Sequence, residues 1–162
     1  MSEIVIRPAT EAEAPEVGAL TAQAYEETEV ADESYSVELR DAASRIQQAT
    51  VLVAALNGQI AGSVTLAAPG TPYAEISRTD ELEVRMLATG DHARRQGVAD
   101  LLMDAAEHHA RSLGLGAVIL STAPSMQAAH RLYERRGYER APDRDWAVDD
   151  IGLMAYRLAL TA

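Results

Sequence analysis

The sequence predicts an α/β (α+β) fold in one domain, residues 1–162, with a central mixed, twisted sheet of about six to seven strands flanked by helices. Three observations carry that expectation. Residues 50–56 and 60–66 are β-branched and apolar runs separated by Asn57-Gly58, which supplies the positive φ angles of a tight antiparallel hairpin. Residues 81–121 read strand, amphipathic helix, strand, a βαβ unit whose two strands must run parallel. Further amphipathic segments on both sides of these runs supply helices to cover the sheet.

Composition bounds the function. A chain of 162 residues can bury a proper core, and 48% hydrophobic with 24% charged residues is ordinary for a globular protein. No apolar run approaches the ~20 residues that span a bilayer. The start, Met1 to Val5, lacks the basic and apolar regions of a signal peptide, so a cytoplasmic location is expected. The absence of cysteine excludes disulfides, thiolate metal sites and cysteine nucleophiles. The net charge of −11 argues against nucleic acid and against an anionic membrane surface. Glu26, Glu27, Glu29, Asp32, Glu33, Glu38 and Asp41 fall close together. Such a cluster is either a solvated face or a rim that steers a cationic substrate.

Taken in order, residues 3–8 read as a short strand. Thr10 and Glu13 have capping-box spacing before a helix that reaches about Tyr25, with Pro15 confined to its early turns. A second helix is expected over 36–48, then the hairpin, then a polar loop over 69–80. Residues 82–87 form the next strand, with Val84 and Met86 on one face and Glu83, Arg85 and Leu87 on the other. Val98, Leu101, Leu102, Ala105, Ala106, His109 and Leu113 repeat at helical spacing, and Gly114 stops that helix. Ala117 to Leu120 is a short apolar strand of the kind buried on both faces. Pro124 suits the first turn of another helix and Gly137 its end. Tyr138 onward and 151–158 give two last strands around a polar loop, 142–150.

The chemistry centres on residues 92–99. Gly97 and Ala99 sit where a loop becomes the long helix, so backbone N–H groups without helical partners meet the positive end of the macrodipole. That suits a phosphate, and Arg94 and Arg95 stand ready to add charge-assisted hydrogen bonds. No Gly-Lys-Ser/Thr follows and the three-glycine dinucleotide spacing is missing.

The order strand, Arg94-x-x-Gly97-x-Ala99, helix, strand, helix, closing on Leu132-Tyr133-Glu134-Arg135-Arg136-Gly137-Tyr138, resembles the GCN5-related N-acetyltransferase (GNAT) family. The resemblance covers about residues 3–158 and is strongest over 81–138. It implies an enzyme that moves an acetyl group from acetyl-CoA, as co-substrate and without metal, to a primary amine. It implies that strand 82–88 is bulged and splays from its parallel neighbour 117–121. Leu87, Ala88 and Thr89 would then offer main-chain hydrogen bonds to the pantetheine arm, and Arg94, Arg95, Gln96, Gly97, Val98 and Ala99 would hold the pyrophosphate. A backbone N–H near Leu87 would stabilise the oxyanion. Tyr133 matches the acid that protonates the departing thiolate, a role open to a phenol with a pKa near ~10.

Glu83 matches the general base, with Glu75, Glu81 or water as rivals, and with a plain strand carboxylate paired to Arg85 as the structural alternative. Without cysteine, direct attack of the amine in a ternary complex is the natural mechanism. The sequence departs from the family at Met126, where asparagine is usual, and at Thr89 and Asp91, where valine and proline are usual.

The partner expected is a small-molecule or peptide amine, with no nucleic acid and no membrane; a homodimer is the one assembly kept in view. The resemblance implies an acceptor side built from the acidic 26–41 stretch and the loop Asp143-Arg144-Asp145-Trp146, and hence a small cationic amine. The other class the sequence admits is a non-catalytic acyl-CoA-binding regulatory module.

Overall fold

The computed structural model describes residues 3–26, 33–93, 95–148 and 150–160. Arg94, Glu27, Glu29 and Asp32 therefore lie outside the described residues. The chain runs β1 (Ile4–Pro8), α1 (Ala14–Glu26), α2 (Glu33–Arg40), α3 (Ala42–Gln48), β2 (Thr50–Leu56) and β3 (Gln59–Ala67). It continues with β4 (Glu81–Thr89), α4 (Val98–Ser112), β5 (Ala117–Thr122) and α5 (Gln127–Arg135). Last come β6 (Glu139–Arg140), β7 (Trp146–Val148) and β8 (Ile151–Ala159). The sheet order is β1-β2-β3-β4-β5-β8-β6, with β7 paired to β8. Only β4–β5 is parallel among these pairings, and α4 is its crossover. The mixed sheet flanked by helices is the architecture the sequence predicted.

One apolar cluster joins Leu82, Val84, Val118 and Leu120 of the sheet to Leu102 and Met103 of α4 and Tyr133 of α5. On the opposite face, Val51, Val53 and Ile60 meet Val17 of α1 and Ala42 of α3, and Met86 meets Ala22 and Leu39. Gly18 lets α1 and α2 touch, because a Cβ there would collide with the Arg40 carbonyl.

Four details differ from expectation. Residues 36–48 are two helices, since Asp41 caps α3 by accepting from Ser44 N at 3.1 Å and Ser44 Oγ at 2.7 Å. The α5 helix begins at Gln127, after a turn closed by Met126 N–H to the Ala123 carbonyl at 3.0 Å, so Pro124 precedes the helix. The sheet has eight strands among the described residues; the strand expected from Tyr138 onward is the two-residue β6, and the additional one is the three-residue β7 inside the expected loop. It is too short to carry a period-two signal.

Most consequential is β4. Its register against β3 jumps from Thr65↔Arg85 to Ser63↔Ala88, and Met86 has φ 55°. The bulge itself was expected from the resemblance; it rotates Met86 onto the α1–α2 face with Glu83 and Arg85, opposite Val84. The expected alternation of Val84 with Met86 fails there, because the extra residue breaks the period.

Candidate active site

The parallel β4–β5 register runs from Glu81↔Ala117 to Val84↔Leu120 and stops. Past Arg85 the strand stays on β3, while β5 stays on β8 up to Thr122↔Met154. The two central strands thus separate immediately before the bulge. Main-chain groups of 85–89 that face this opening have no β5 partner in the ladder.

The end of β4 delivers the chain to the start of α4. Gly90 N–H bonds the Ala61 carbonyl at 2.8 Å, and a short 3-10 turn, Asp91–Ala93, follows. Arg95 has φ 66° and Gly97 φ 78°, a left-handed cap from which Val98 enters the helix. A Cβ on Gly97 would meet nothing within 4 Å, so its backbone angle is what demands glycine, and the space before it is open. The first helical bond is Leu101 N–H to Gly97 O at 3.1 Å, leaving the N–H groups of Val98, Ala99 and Asp100 without helical acceptors. A second glycine sets the depth of the helix. A Cβ on Gly62 would come within 2.6 Å of Val98 Cγ1 and 2.9 Å of the Ala88 carbonyl.

Behind this cradle, Arg136 ties α4 to the end of α5. It donates to Asp100 Oδ1 at 3.0 Å, Asp104 Oδ1 at 2.6 Å and Glu107 Oε1 at 2.9 Å, while Tyr138 Oη donates to Glu107 at 2.9 Å. Burial works to raise the Asp100 pKa, but hydrogen bonds from Arg136 and Arg135 outweigh it and hold it low. The closing motif of the sequence is therefore largely a clamp between two helices. Its Tyr133 is 5% exposed, packed against the rings of Tyr138 and Tyr156 on the α4–α5 side, and burial pushes its phenol above the ordinary value.

On the opposite face the opening widens into a cavity of about 190 Å³. Glu83, Arg85, Met86 and Met126 line it near the strands, and Tyr25, Tyr35, Glu38 and Trp146 line its walls. Glu83 is 2% exposed, and its Oε1 accepts three backbone N–H groups, from Glu75 at 2.8 Å, Ile76 at 2.8 Å and Ser77 at 3.0 Å. Burial raises its pKa, the N–H donors and Arg85 pull it back, and the balance stays above the usual carboxylate range. The ion pairs of Arg85 are with Glu38 at 3.8 Å and Glu75 at 3.7 Å rather than with Glu83.

The rival Glu81 is differently placed. Burial works to raise it, but Arg144 at 2.7 Å, the Arg78 N–H at 2.8 Å and Arg157 Nε at 2.7 Å hold it at about 2. Such a carboxylate is a structural anion, unsuited to taking a proton near neutrality. Thr122, also in the cavity lining, has a buried hydroxyl without a hydrogen-bond partner. His130 Nε2 lies 2.9 Å from the Ala123 carbonyl and its ring is 5.9 Å from Tyr156, so it braces α5.

The structure thus brings Glu83 and the 87–89 main chain to one opening, with Gly97 at the start of α4 beyond Thr89 and Tyr133 on the α4–α5 side. Arg94 lies outside the described residues. Sequence reasoning missed the cavity walls, Tyr25, Tyr35, Ser121 and Thr122 among them, because they come from segments far apart in the chain. Among the described residues no three His, Asp or Glu side chains gather as metal ligands would, and no helix is long and apolar enough to cross a membrane.

A parallel pair that opens beside a glycine-capped helix start leaves room for an extended ligand with an anionic group at the helix N-terminus. The Acetyltransferase (GNAT) family model matches residues 16–138, and the chain belongs to that family of acetyl-CoA-dependent enzymes. The fold is shared with a GNAT-family acetyltransferase from Staphylococcus aureus Mu50, at TM-score 0.76 and 14% identity over 98% of this chain and 100% of that one. It is shared with yncA of Salmonella typhimurium, solved with its cofactor acetyl-CoA, at TM-score 0.71 and 16% identity over 98% and 94%. PaiA N-acetyltransferase from Thermoplasma acidophilum, in complex with coenzyme A, matches at TM-score 0.73 and 12% identity over 94% and 98%. Among curated proteins none matches the chain.

Proposed function

We propose that residues 1–162 form one N-acetyltransferase domain that moves an acetyl group from acetyl-CoA directly to a primary amine. The observation that carries this reading is the β4–β5 opening. It has a carboxylate, Glu83, on one face of the sheet and a neutral phenol, Tyr133, on the other. When bound, acetyl-CoA supplies an activated acyl carbonyl; everything else is asked of the chain. The residues fit such a co-substrate, since a Cβ on Gly97 would meet nothing within 4 Å, the first-turn N–H groups of α4 lack helical acceptors, and β4 past Val84 has no β5 partner.

In this reading the main chain of Leu87, Ala88 and Thr89 holds the pantetheine arm, and the backbone from Arg94 through Arg95, Gln96, Gly97 and Val98 to Ala99 holds the pyrophosphate. Glu83 takes the ammonium proton, directly or through water. With Oε1 committed to three N–H donors, Oε2 is its basic oxygen, and its raised pKa brings it closer to the working range of a general base. Tyr133, kept protonated by burial, donates its hydroxyl proton to the thiolate that leaves. Thr122 offers an unused hydroxyl near the place where the usual asparagine is replaced by Met126.

The acceptor is a small amine. Among the described residues of the acidic stretch, Glu26 pairs with Arg40 at 3.1 Å and Glu38 with Arg85 at 3.8 Å, which offsets part of the charge that steers a cation. The deciding experiment combines acetyl-CoA calorimetry with thiol release over a panel of primary amines. Binding with turnover is expected. Binding without turnover on any amine would turn the reading toward a non-catalytic acyl-CoA module.

A further inference from the structure

We infer that the acceptor is an arylalkyl monoamine: one flat apolar ring, a short saturated arm and a single ammonium group. This rests on the N-acetyltransferase reading and names the substrate class of that site. Shape is the first argument. Tyr25 and Tyr35 meet edge to face, with centroids 6.0 Å apart and planes at 74°, and form one aromatic wall. Trp146 forms another, its indole Nε1–H fixed on Ser121 Oγ at 2.8 Å. Val148, Ile151 and Leu153, from the β7–β8 hairpin, add an aliphatic lining. A ring entering between such walls buries apolar area and gains edge or stacking contacts. The volume of about 190 Å³ lies below the ~300–1,000 Å³ of pockets for drug-sized ligands, so the body is small.

Charge is the second argument. Among the described residues, the formally charged side chains lining the cavity are Glu38, Glu83 and Arg85, which sum to −2 + 1 = −1. One ammonium balances that sum. The second ammonium of a diamine would have to compete with Arg85 for Glu38, or face Tyr, Trp and aliphatic surface. An α-carboxylate would have to displace Glu38, Glu75 or the Tyr73 carbonyl from Arg85, each already within reach of that guanidinium. Unpaired charges in a largely apolar site are costly, so both alternatives are disfavoured.

The test uses two readouts. Trp146 is the chain's one tryptophan, so its fluorescence reports on the cavity without any turnover. Phenylethylamine is expected to change that emission saturably, whereas spermidine at equal concentration is not. In the acetyl-CoA thiol-release assay, kcat/KM for phenylethylamine is expected to exceed that for spermidine, free lysine and a lysine-containing peptide by at least about tenfold. Leu153→Glu adds a carboxylate to the cavity lining and is expected to move the phenylethylamine-to-diamine ratio about tenfold toward the diamine. Preference for the polyamine, amino acid or peptide, an unchanged ratio in Leu153→Glu, or an emission that ignores phenylethylamine overturns the inference. Saturable binding of phenylethylamine and acetyl-CoA with no acetylation of any amine overturns the transferase reading instead.

Discussion

The two ends of the β4–β5 opening are made of different material. At the end proposed for the cofactor the features are main-chain ones: the left-handed Gly97, the N–H groups of the first α4 turn that lack helical acceptors, and the bulge at Met86. At the acceptor end they are side chains, drawn from α1, α2, β4, β5 and the β7–β8 hairpin, with Glu83 and Glu81 fastening the 75–78 loop. A backbone cradle recognises a pyrophosphate whatever most side chains are. A side-chain cavity changes its ligand with each substitution. The first half is suited to a constant co-substrate and the second to a variable acceptor.

Substitutions can break or sharpen that contrast. The largest effect is expected from Tyr133→Phe, which should lower kcat by about 10²–10⁴ while leaving the acetyl-CoA Kd from calorimetry unchanged. Unaltered turnover would remove Tyr133 from the reaction. Glu81→Ala should cost about 3–5 kcal/mol in denaturant unfolding, because Arg144, 8% exposed, would be left without its carboxylate. A loss under about 1 kcal/mol would mean that the buried ion pair contributes little to stability.

For Glu83 the informative pair is Gln and Ala. The amide oxygen of Gln can still accept the three N–H bonds, so its stability should stay close to that of the parent while kcat/KM falls by about 10². Ala should lose both, and a Gln variant as active as the parent would leave Glu83 a structural carboxylate. At the other end, Gly97→Val should cost about 1–3 kcal/mol in denaturant unfolding, the strain of holding a β-branched residue at positive φ. Thr122→Val should be smallest, nearly neutral or slightly stabilising in Tm, because it removes an unpartnered buried hydroxyl at nearly constant shape.

Acid stability gives an independent check on the acceptor end. Glu81 sits at about 2 against an ordinary value of 4.5, so its contribution is complete above 4.5 and is lost as pH falls through that window toward 2. Glu13, held at about 2 chiefly by Arg7, acts in the same direction. Glu83 is raised and acts oppositely: it costs stability as pH rises through its own range. A melting-temperature profile of Glu81→Gln should therefore lose part of its slope below pH 4.5 relative to the parent.

What was legible in the sequence was what the backbone demands locally. Asn57 and Gly58, at φ 52° and 85°, turn the hairpin as their residue types require. Gly97 stands at the positive φ that its place before a helical repeat implied, and the 81–121 crossover is parallel. Glu13 accepts the Thr10 N–H at 2.9 Å, the reciprocal contact expected of a capping box. Even so, Asp41 divided a helix that looked continuous, because capping and helical periodicity compete within the same residues.

Tertiary structure alone decided the rest. The family resemblance implied a bulge in 82–88, but no residue near Met86 marks where the left-handed position falls; it is tolerated because β3 pairing resumes beyond it and α1 and α2 receive the side chain. Glu83 on its own is a carboxylate in a strand. Only the return of the 75–77 backbone, and the approach of Tyr25 and Trp146 from elements far along the chain, make it the floor of a cavity. Helix starts and turns are set by dihedral preferences within a few residues. A side-chain cavity depends on sheet register and loop closure across the whole fold, and those are set by packing.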